Sequence, residues 1–199
     1  MLQCEEVVEV GVNKARFAYY FLRSLHTSGT RLPQYHMVDP WRAQAHYEGD
    51  LLGGVSHLEH QENLREAIGR MRSYWEVVSF LQTTGERAAR MFGDASLSMV
   101  YIDGRHDYCA VAEDVRTWWP KVRHGGCLAG HDYYFGVNFT KCSNGSIVFG
   151  GVARAVAEFA AEQGVTTVVV GLTDQFLLLK PFLPGQPRPW GGSGNASAG

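Results

Sequence analysis

Leu97-Ser98-Met99-Val100-Tyr101-Ile102 is an apolar, β-rich run that stops at Asp103-Gly104. Asp107 then opens a stretch in which Val111, Val115, Trp118 and Val122 recur on one helical face, closed by Pro120 and Gly125-Gly126. Cys127-Leu128-Ala129-Gly130 returns as a short buried strand before His131-Asp132. Strand, helix and strand in that order form a crossover unit. Its two strands lie parallel in one sheet, and its helix covers a face.

The same alternation extends in both directions. Upstream, Glu6-Val7-Val8-Glu9-Val10 reads as a strand ending at Gly11, followed by Ala15, Ala18, Leu22 and Leu25 at helical spacing. Tyr35-His36-Met37-Val38-Asp39 is a second strand, stopped by Pro40. Residues 42–54 read as a loop, Leu64, Ala67, Ile68 and Met71 as a helix, and Trp75 to Leu81 as a strand. Thr84 caps a short helix bearing Ala88, Ala89 and Met91. Downstream, residues 133–151 form a long loop, and Val152, Val156, Phe159 and Ala160 mark the last helix. Val165 to Val170 and Phe176 to Leu179 are closing strands with no helix between them, so they pair as a hairpin and one runs antiparallel. The expectation is an α/β domain over residues 1–183, doubly wound, with a mostly parallel sheet and helices on both faces. Pro184 to Gly199 is too poor in apolar residues to order itself and is expected to be a disordered tail.

Composition narrows the classes. A chain of 199 residues with 45% hydrophobic and 19% charged residues suits one globular domain. A net charge of -2 points to neither nucleic acid nor an anionic membrane. No run approaches the roughly 18 apolar residues of a membrane span, and no signal peptide is visible, so a cytoplasmic protein is expected. Cys4, Cys109, Cys127 and Cys142 are scattered and form no CxxC pair, which predicts reduced thiols. Glycosylation tripeptides at Asn138, Asn144 and Asn195 are read as chance matches in that setting.

Ligands of such sheets bind beyond the carboxyl ends of the strands, which directs attention to Gly11, Asp39, Thr83, Asp103 and His131-Asp132. Glycine at 11 lets backbone approach a ligand, and the helix N-terminus that follows favours a carboxylate or phosphate. GxGxxG is absent, which weighs against a nicotinamide or flavin enzyme. Asp39 can accept from both hydroxyls of a ribose. Asp103, His131 and Asp132 could converge on a divalent cation: two carboxylates suit Mg²⁺ or Ca²⁺, and an imidazole admits Mn²⁺, Zn²⁺ or Fe²⁺. Without metal, the same residues are loop caps and nucleoside contacts. His57 and His60 read as solvated surface and Trp118-Trp119 as core. No G-x-S-x-G elbow or P-loop occurs.

Glu9-Val10-Gly11, Asp39-Pro40-Trp41, the segment Tyr101-Ile102-Asp103-Gly104-Arg105-His106-Asp107-Tyr108, and Trp119 to Gly126 followed by Gly130-His131-Asp132-Tyr133 resemble class I S-adenosylmethionine-dependent methyltransferases. The nearest subgroup is methyltransferase family 24, similar to metal-dependent small-molecule O-methyltransferases. The resemblance covers about residues 5–180. It implies a Rossmann-like seven-stranded sheet with an antiparallel last strand. It also implies that Glu9, Gly11 and Asn13 hold the methionine part of S-adenosylmethionine, that Asp39 holds its ribose, and that Thr84 and Glu86 lie near its adenine. Asp103, with Asp132 and His131, would stand at the methyl-transfer site, where a divalent cation assists and Asp103 or His106 takes the proton. Two departures stand out: Ala15 lies near the usual second glycine, and His131-Asp132 replaces two adjacent acids. The expected activity is methyl transfer to an oxygen, or less readily a nitrogen, of a small molecule, with a homo-oligomer as one way to cover the site. Rival readings are an inert methyltransferase-like binding module and an NAD(P)-dependent oxidoreductase.

Overall fold

The computed structural model describes residues 5–43, 55–134, 139–142, 146–170 and 174–185. β1 (Glu6–Val10), α1 (Arg16–Thr27), β2 (Gln34–Val38), α2 (His57–Arg70), β3 (Val78–Leu81) and α3 (Gly85–Ala89) make the first half. β4 (Leu97–Ile102), α4 (Tyr108–Trp118), β5 (Val122–Gly130), β6 (Phe139–Lys141), β7 (Ile147–Phe149), α5 (Val152–Gln163), β8 (Thr167–Val170) and β9 (Gln175–Leu179) follow.

Seven strands form one sheet in the order β3-β2-β1-β4-β5-β9-β8. β3, β2, β1, β4 and β5 run parallel, and β9 is antiparallel to both its neighbours. The doubly wound sheet with an antiparallel last strand is therefore as expected. Chain order reverses between β1 and β4, so Gly11 and Asp103 emerge side by side at the switch point, where ligands of such sheets bind.

The central strands are buried on both faces, which is why β4 reads as a near-continuous apolar run, whereas the edge strand β8 is exposed at Val168, Val169 and Val170. On one face Val7, Ala18, Leu22, Met37, Trp41 and Ala67 pack together; on the other, Val8, Val10, Val100, Val115, Trp118 and Phe159 do. Alternation along β1 sends Val7 to the first layer and Val8 and Val10 to the second. Asp107 starts α4 by accepting from the amide of Ala110 at 3.0 Å. Trp118 lies in the core, as expected. Among the described residues no helix is long and apolar enough to cross a membrane.

Three expectations change. Val122 is not on the α4 face: the α-helix ends at Trp118, a 3-10 turn over Trp119–Lys121 carries Pro120, and Val122 begins β5. Gly125-Gly126 therefore lies inside a strand. A Cβ at Gly126 would stand 2.7 Å from the Ser98 carbonyl oxygen, so glycine there permits the close approach of β5 to β4. Residues 133–151 are more than a loop, since β6 and β7 pair as an antiparallel hairpin. Finally, Cys109 and Cys142 form a disulfide, with Cα atoms 5.6 Å apart, in place of the expected thiols. Spacing could not reveal it, because the pair is 33 residues apart in sequence and is brought together by the hairpin's return to α4.

Most of the 42–54 loop, the three asparagines of the glycosylation tripeptides, and the tail from residue 186 lie outside the described residues.

The Cys109–Cys142 bridge joins residues 33 apart in sequence and should stabilise the fold by about 4 kcal/mol. Cys142→Ser is expected to lower the free energy of urea denaturation by about that amount under oxidising conditions. Wild type and variant should converge in reductant; equal stability without reductant would contradict the bridge.

Candidate active site

The site begins at the turn after β1. Gly11 adopts φ +86°, and a Cβ there would stand 2.2 Å from the backbone oxygen of Asp103. Only glycine meets both conditions. The turn is held from the end of β2. Asp39 Oδ2 accepts from the amides of Val12 at 3.0 Å and Asn13 at 2.9 Å, and Asp39 Oδ1 accepts from the amide of Trp41 at 2.7 Å. The indole N–H of Trp41 then donates to the Asn13 carbonyl at 2.8 Å. Asp39 thus fixes the first turn.

Three residues in this turn region adopt the left-handed conformation without being glycine: Asn13 (φ 51°), Ala15 (φ 54°) and Trp41 (φ 41°). Asn13 also buries its side-chain oxygen without a hydrogen-bond donor among the described residues. Ala15, at the position of the usual second glycine, is fully buried and precedes the first residue of α1.

Glu9 is placed differently from its neighbours in the motif. Its carboxyl is 1% exposed and lies beneath the turn, accepting from the Tyr35 hydroxyl at 2.7 Å. Burial pushes its pKa up from 4.5 to about 8; the Tyr35 hydrogen bond opposes this, and the nearby Asp103 and Asp39 carboxylates add to it. Burial likewise pushes the Tyr35 hydroxyl up, with Glu9 adding to it. Both are therefore neutral near pH 7.

A second cluster stands where β4 and β5 end. His106 Nε2 lies 2.9 Å from Asp132 Oδ2 and 3.5 Å from Asp103 Oδ1, and His131 Nδ1 lies 3.1 Å from Asp132 Oδ1. One ligating atom from each of Asp103, His131 and Asp132 lies within 4.8 Å of the others. Asp132 has φ 54°, and the amide of Tyr133 donates to the Asp174 carbonyl at 2.7 Å, which anchors this strand end. The sequence-predicted Asp103, His106, His131 and Asp132 thus converge, and Gly11 touches the same end of β4.

Thr84 is the residue before α3, and its side chain makes no cap hydrogen bond. Glu86 pairs with Arg90 on the surface. His57 opens α2 and is exposed. Three residues escaped the sequence reading: Tyr35, which holds Glu9; Trp41, which clamps Asn13; and Asp114 on α4. Burial pushes the Asp114 carboxyl up from 3.8 to about 7, with Glu113 and Asp107 adding and Arg105 opposing. Its signal was available, since an acid within the apolar stripe of Val111, Val115 and Trp118 needs a reason to be there.

Two outcomes follow from the turn. Glu9 holds its proton in the folded chain over the window from 4.5 to about 8, so its contribution is fully present below that window and is lost as pH rises through it. Glu9→Gln should flatten stability against pH there, by up to about 1.4 kcal/mol per pH unit, in denaturation measured from pH 5 to pH 9. A slope unchanged by the substitution would contradict the assignment. Ala15→Gly relieves a left-handed alanine and should raise stability by ~0.5–1 kcal/mol, read from urea midpoints; a loss would mean that the packing of its methyl outweighs the backbone strain.

The geometry can be set beside known proteins. A family model described as "Methyltransferase domain" matches residues 8–133. The uncharacterised protein y4gI of Sinorhizobium fredii is 23% identical over 131 residues, which are 66% of this chain and 13% of that protein. The chain thus spans about an eighth of that relative's length. Among solved structures, a protein from Corynebacterium glutamicum aligns with TM-score 0.62 at 14% identity, covering 92% of this chain and 76% of that one. The O-methyltransferase NovP aligns with TM-score 0.58 at 17% identity, covering 89% and 72%. TomG from Streptomyces achromogenes, an O-methyltransferase of tomaymycin synthesis solved with S-adenosylmethionine, aligns with TM-score 0.55 at 10% identity, covering 92% and 75%. At such identities these structures establish the shared fold. With a family model spanning well over half of its length and a seven-stranded sheet of the matching topology, the chain belongs to the methyltransferase-domain family, of the class I S-adenosylmethionine-dependent type.

Proposed function

We propose that this protein transfers the methyl group of S-adenosylmethionine to an oxygen of a small molecule. The observation that carries this reading is the convergence of Asp103, His106 and Asp132 beyond β4 and β5, beside the Gly11 turn. The family membership and the O-methyltransferases among the structural relatives support it.

The residues divide the work. The Gly11–Asn13 turn, stiffened by Asp39 and Trp41, receives the methionine end of the cofactor. Asp39 Oδ1 already accepts from Trp41 and has one acceptor direction left for a ribose hydroxyl. Thr84 and Glu86, at the start of α3, lie on the adenine side. Because the sulfonium supplies its own leaving group, the protein must mainly align the acceptor oxygen, the methyl carbon and the sulfur. His106 sits between two carboxylates, which stabilise the cation formed when its imidazole takes the acceptor's proton. Asp132 orients that ring.

Asp103, His131 and Asp132 fit a divalent cation: two carboxylates and an imidazole with ligating atoms in mutual reach. When bound there, the cation would orient vicinal acceptor oxygens and lower the pKa of a hydroxyl.

Calorimetry with S-adenosylhomocysteine should show micromolar binding, and Mg²⁺ or Mn²⁺ should add a heat that EDTA abolishes. With an acceptor found by screening phenols and other small hydroxylated compounds, Asp103→Asn should lower turnover by about 100-fold or more, while S-adenosylhomocysteine affinity stays within a few-fold. Absence of cofactor binding overturns the function; unchanged turnover removes Asp103 from it; a missing cation heat removes the metal alone.

A further inference from the structure

Three ties join the segment that carries His106 to the stretch between β5 and α5. His106 Nε2 lies 2.9 Å from Asp132 Oδ2, just past β5. Asp107 forms an isolated antiparallel bridge with Gly151, the residue before α5. Cys109, the second residue of α4, is disulfide-bonded to Cys142, which follows β6. The ion pair is part-exposed and the bridge is a single backbone contact, so neither holds the two segments strongly by itself. The covalent tie sits beside both.

The hairpin contributes little anchorage of its own. β6 and β7 form a two-stranded sheet apart from the main one, and among the described residues neither strand enters the two buried core clusters. Phe139 is 73% exposed and Ile147 70%. Releasing the hairpin therefore opens one local unit and leaves the core of the seven-stranded sheet in place. Cys109 and Cys142 are each half-buried, so a small thiol can reach the bond. Disulfides open to reductant are the labile ones.

We propose that the Cys109–Cys142 disulfide is a redox switch on the site, holding His106 in place when closed and releasing it when a dithiol reduces the bond. One thiolate of the dithiol attacks a cysteine sulfur and expels the other cysteine as a thiolate. The dithiol's second sulfur then displaces the first cysteine. Two electrons and two protons pass to the bridge, which becomes two thiols, and the dithiol closes into its own disulfide. Once the covalent tie is cut, the ion pair and the backbone bridge lose the effective concentration that it imposed on them. His106 then leaves its fixed place against Asp132 and Asp103. The Gly11–Asn13 turn is held by Asp39 and Trp41 and takes no part in these ties, so it keeps its shape. The catalytic consequence rests on the methyl-transfer reading above; the opening of the hairpin and the release of His106 do not.

The test compares the intact protein oxidised and after dithiothreitol, with alkylation and mass measurement counting the thiols freed. Hydrogen exchange in peptides spanning residues 103–110 and 139–149 should run about 10-fold faster or more in the reduced form, while peptides from β1 and β2 stay protected. The His106 ring resonances, assigned with His106→Gln, should shift on reduction and return on reoxidation. The double variant Cys109→Ser, Cys142→Ser should match the reduced protein and ignore dithiothreitol, with a thermal melt confirming that it is folded. Turnover of a screened acceptor should fall by about 10-fold or more on reduction, while S-adenosylhomocysteine affinity stays within a few-fold. If neither exchange nor the His106 resonances respond, or if the bond opens only with global unfolding, the disulfide is a static brace and the inference falls. If both respond while turnover holds, the bond does not govern the site and the inference falls as well. If neither redox form binds S-adenosylhomocysteine, the cofactor reading falls, and exchange with the His106 resonances alone decides the switch.

Discussion

At the end of β1 the backbone turns so close to β4 that any side chain at position 11 would run into the carbonyl of Asp103. That approach is the constraint on which the site depends. It exists because β1 and β4 are neighbours at the point where the sheet changes direction, each making parallel hydrogen bonds to the other. Once the turn is pressed against β4, its amides require acceptors. Asp39, at the end of the other strand beside β1, supplies one oxygen to Val12 and Asn13 together. Three consecutive strand ends are thereby coupled: displacing Asp39 would release the turn, and displacing the turn would move the start of α1.

Such coupling holds the backbone in conformations it would not choose alone. Asn13, Ala15 and Trp41 occupy the left-handed region around the turn, and Asp132 does so at the end of β5. Each costs of order 1 kcal/mol or more and persists only where surrounding bonds over-determine it. Those bonds are identifiable. Trp41 donates to Asn13 through its side chain and to Asp39 through its amide, and the amide of Ala15 donates to the Val12 carbonyl. Under the turn, the neutral pair of Glu9 and Tyr35 satisfies one buried oxygen without burying a charge. Strain of this kind gathers at these strand ends, and Ala95 (φ 55°), just before β4, and Asp174 (φ 47°), just before β9, share it.

These strand ends explain what the sequence disclosed. Gly11, Asp39, Asp103 and His131-Asp132 were legible because an apolar strand that stops abruptly marks where a parallel sheet exposes its carboxyl ends. The roles within that set were less legible. Glu9 has the alternation of an inward strand residue, yet nothing local says that Tyr35 receives it. Val122 kept the period of α4, but Pro120 cannot sustain an α-helix there, and the glycines after it serve the contact of β5 with β4. The disulfide and the β6–β7 hairpin were invisible because they depend on distance in space. The metal reading rests on the convergence of Asp103, His131 and Asp132 alone, which their places after neighbouring strands could suggest in the sequence.

The hairpin is tied to the segment that carries His106. It leaves β5 just after Asp132 and returns to α5 at Gly151, which bridges to Asp107 beside His106. The bond from Cys142 to Cys109 ties its middle to the first turn of α4. The residues holding the two sides of the reactive cluster are thus also the anchors of the hairpin. Outward, Phe139 and Phe149 pair across its strands with ring centroids 5.0 Å apart. An element of so few strand residues has little core of its own and would be marginal in water. Tied at Cys109 and Asp107, it is held to the segment that carries His106, and Arg105 and Asp107, on either side of that histidine, pair with each other.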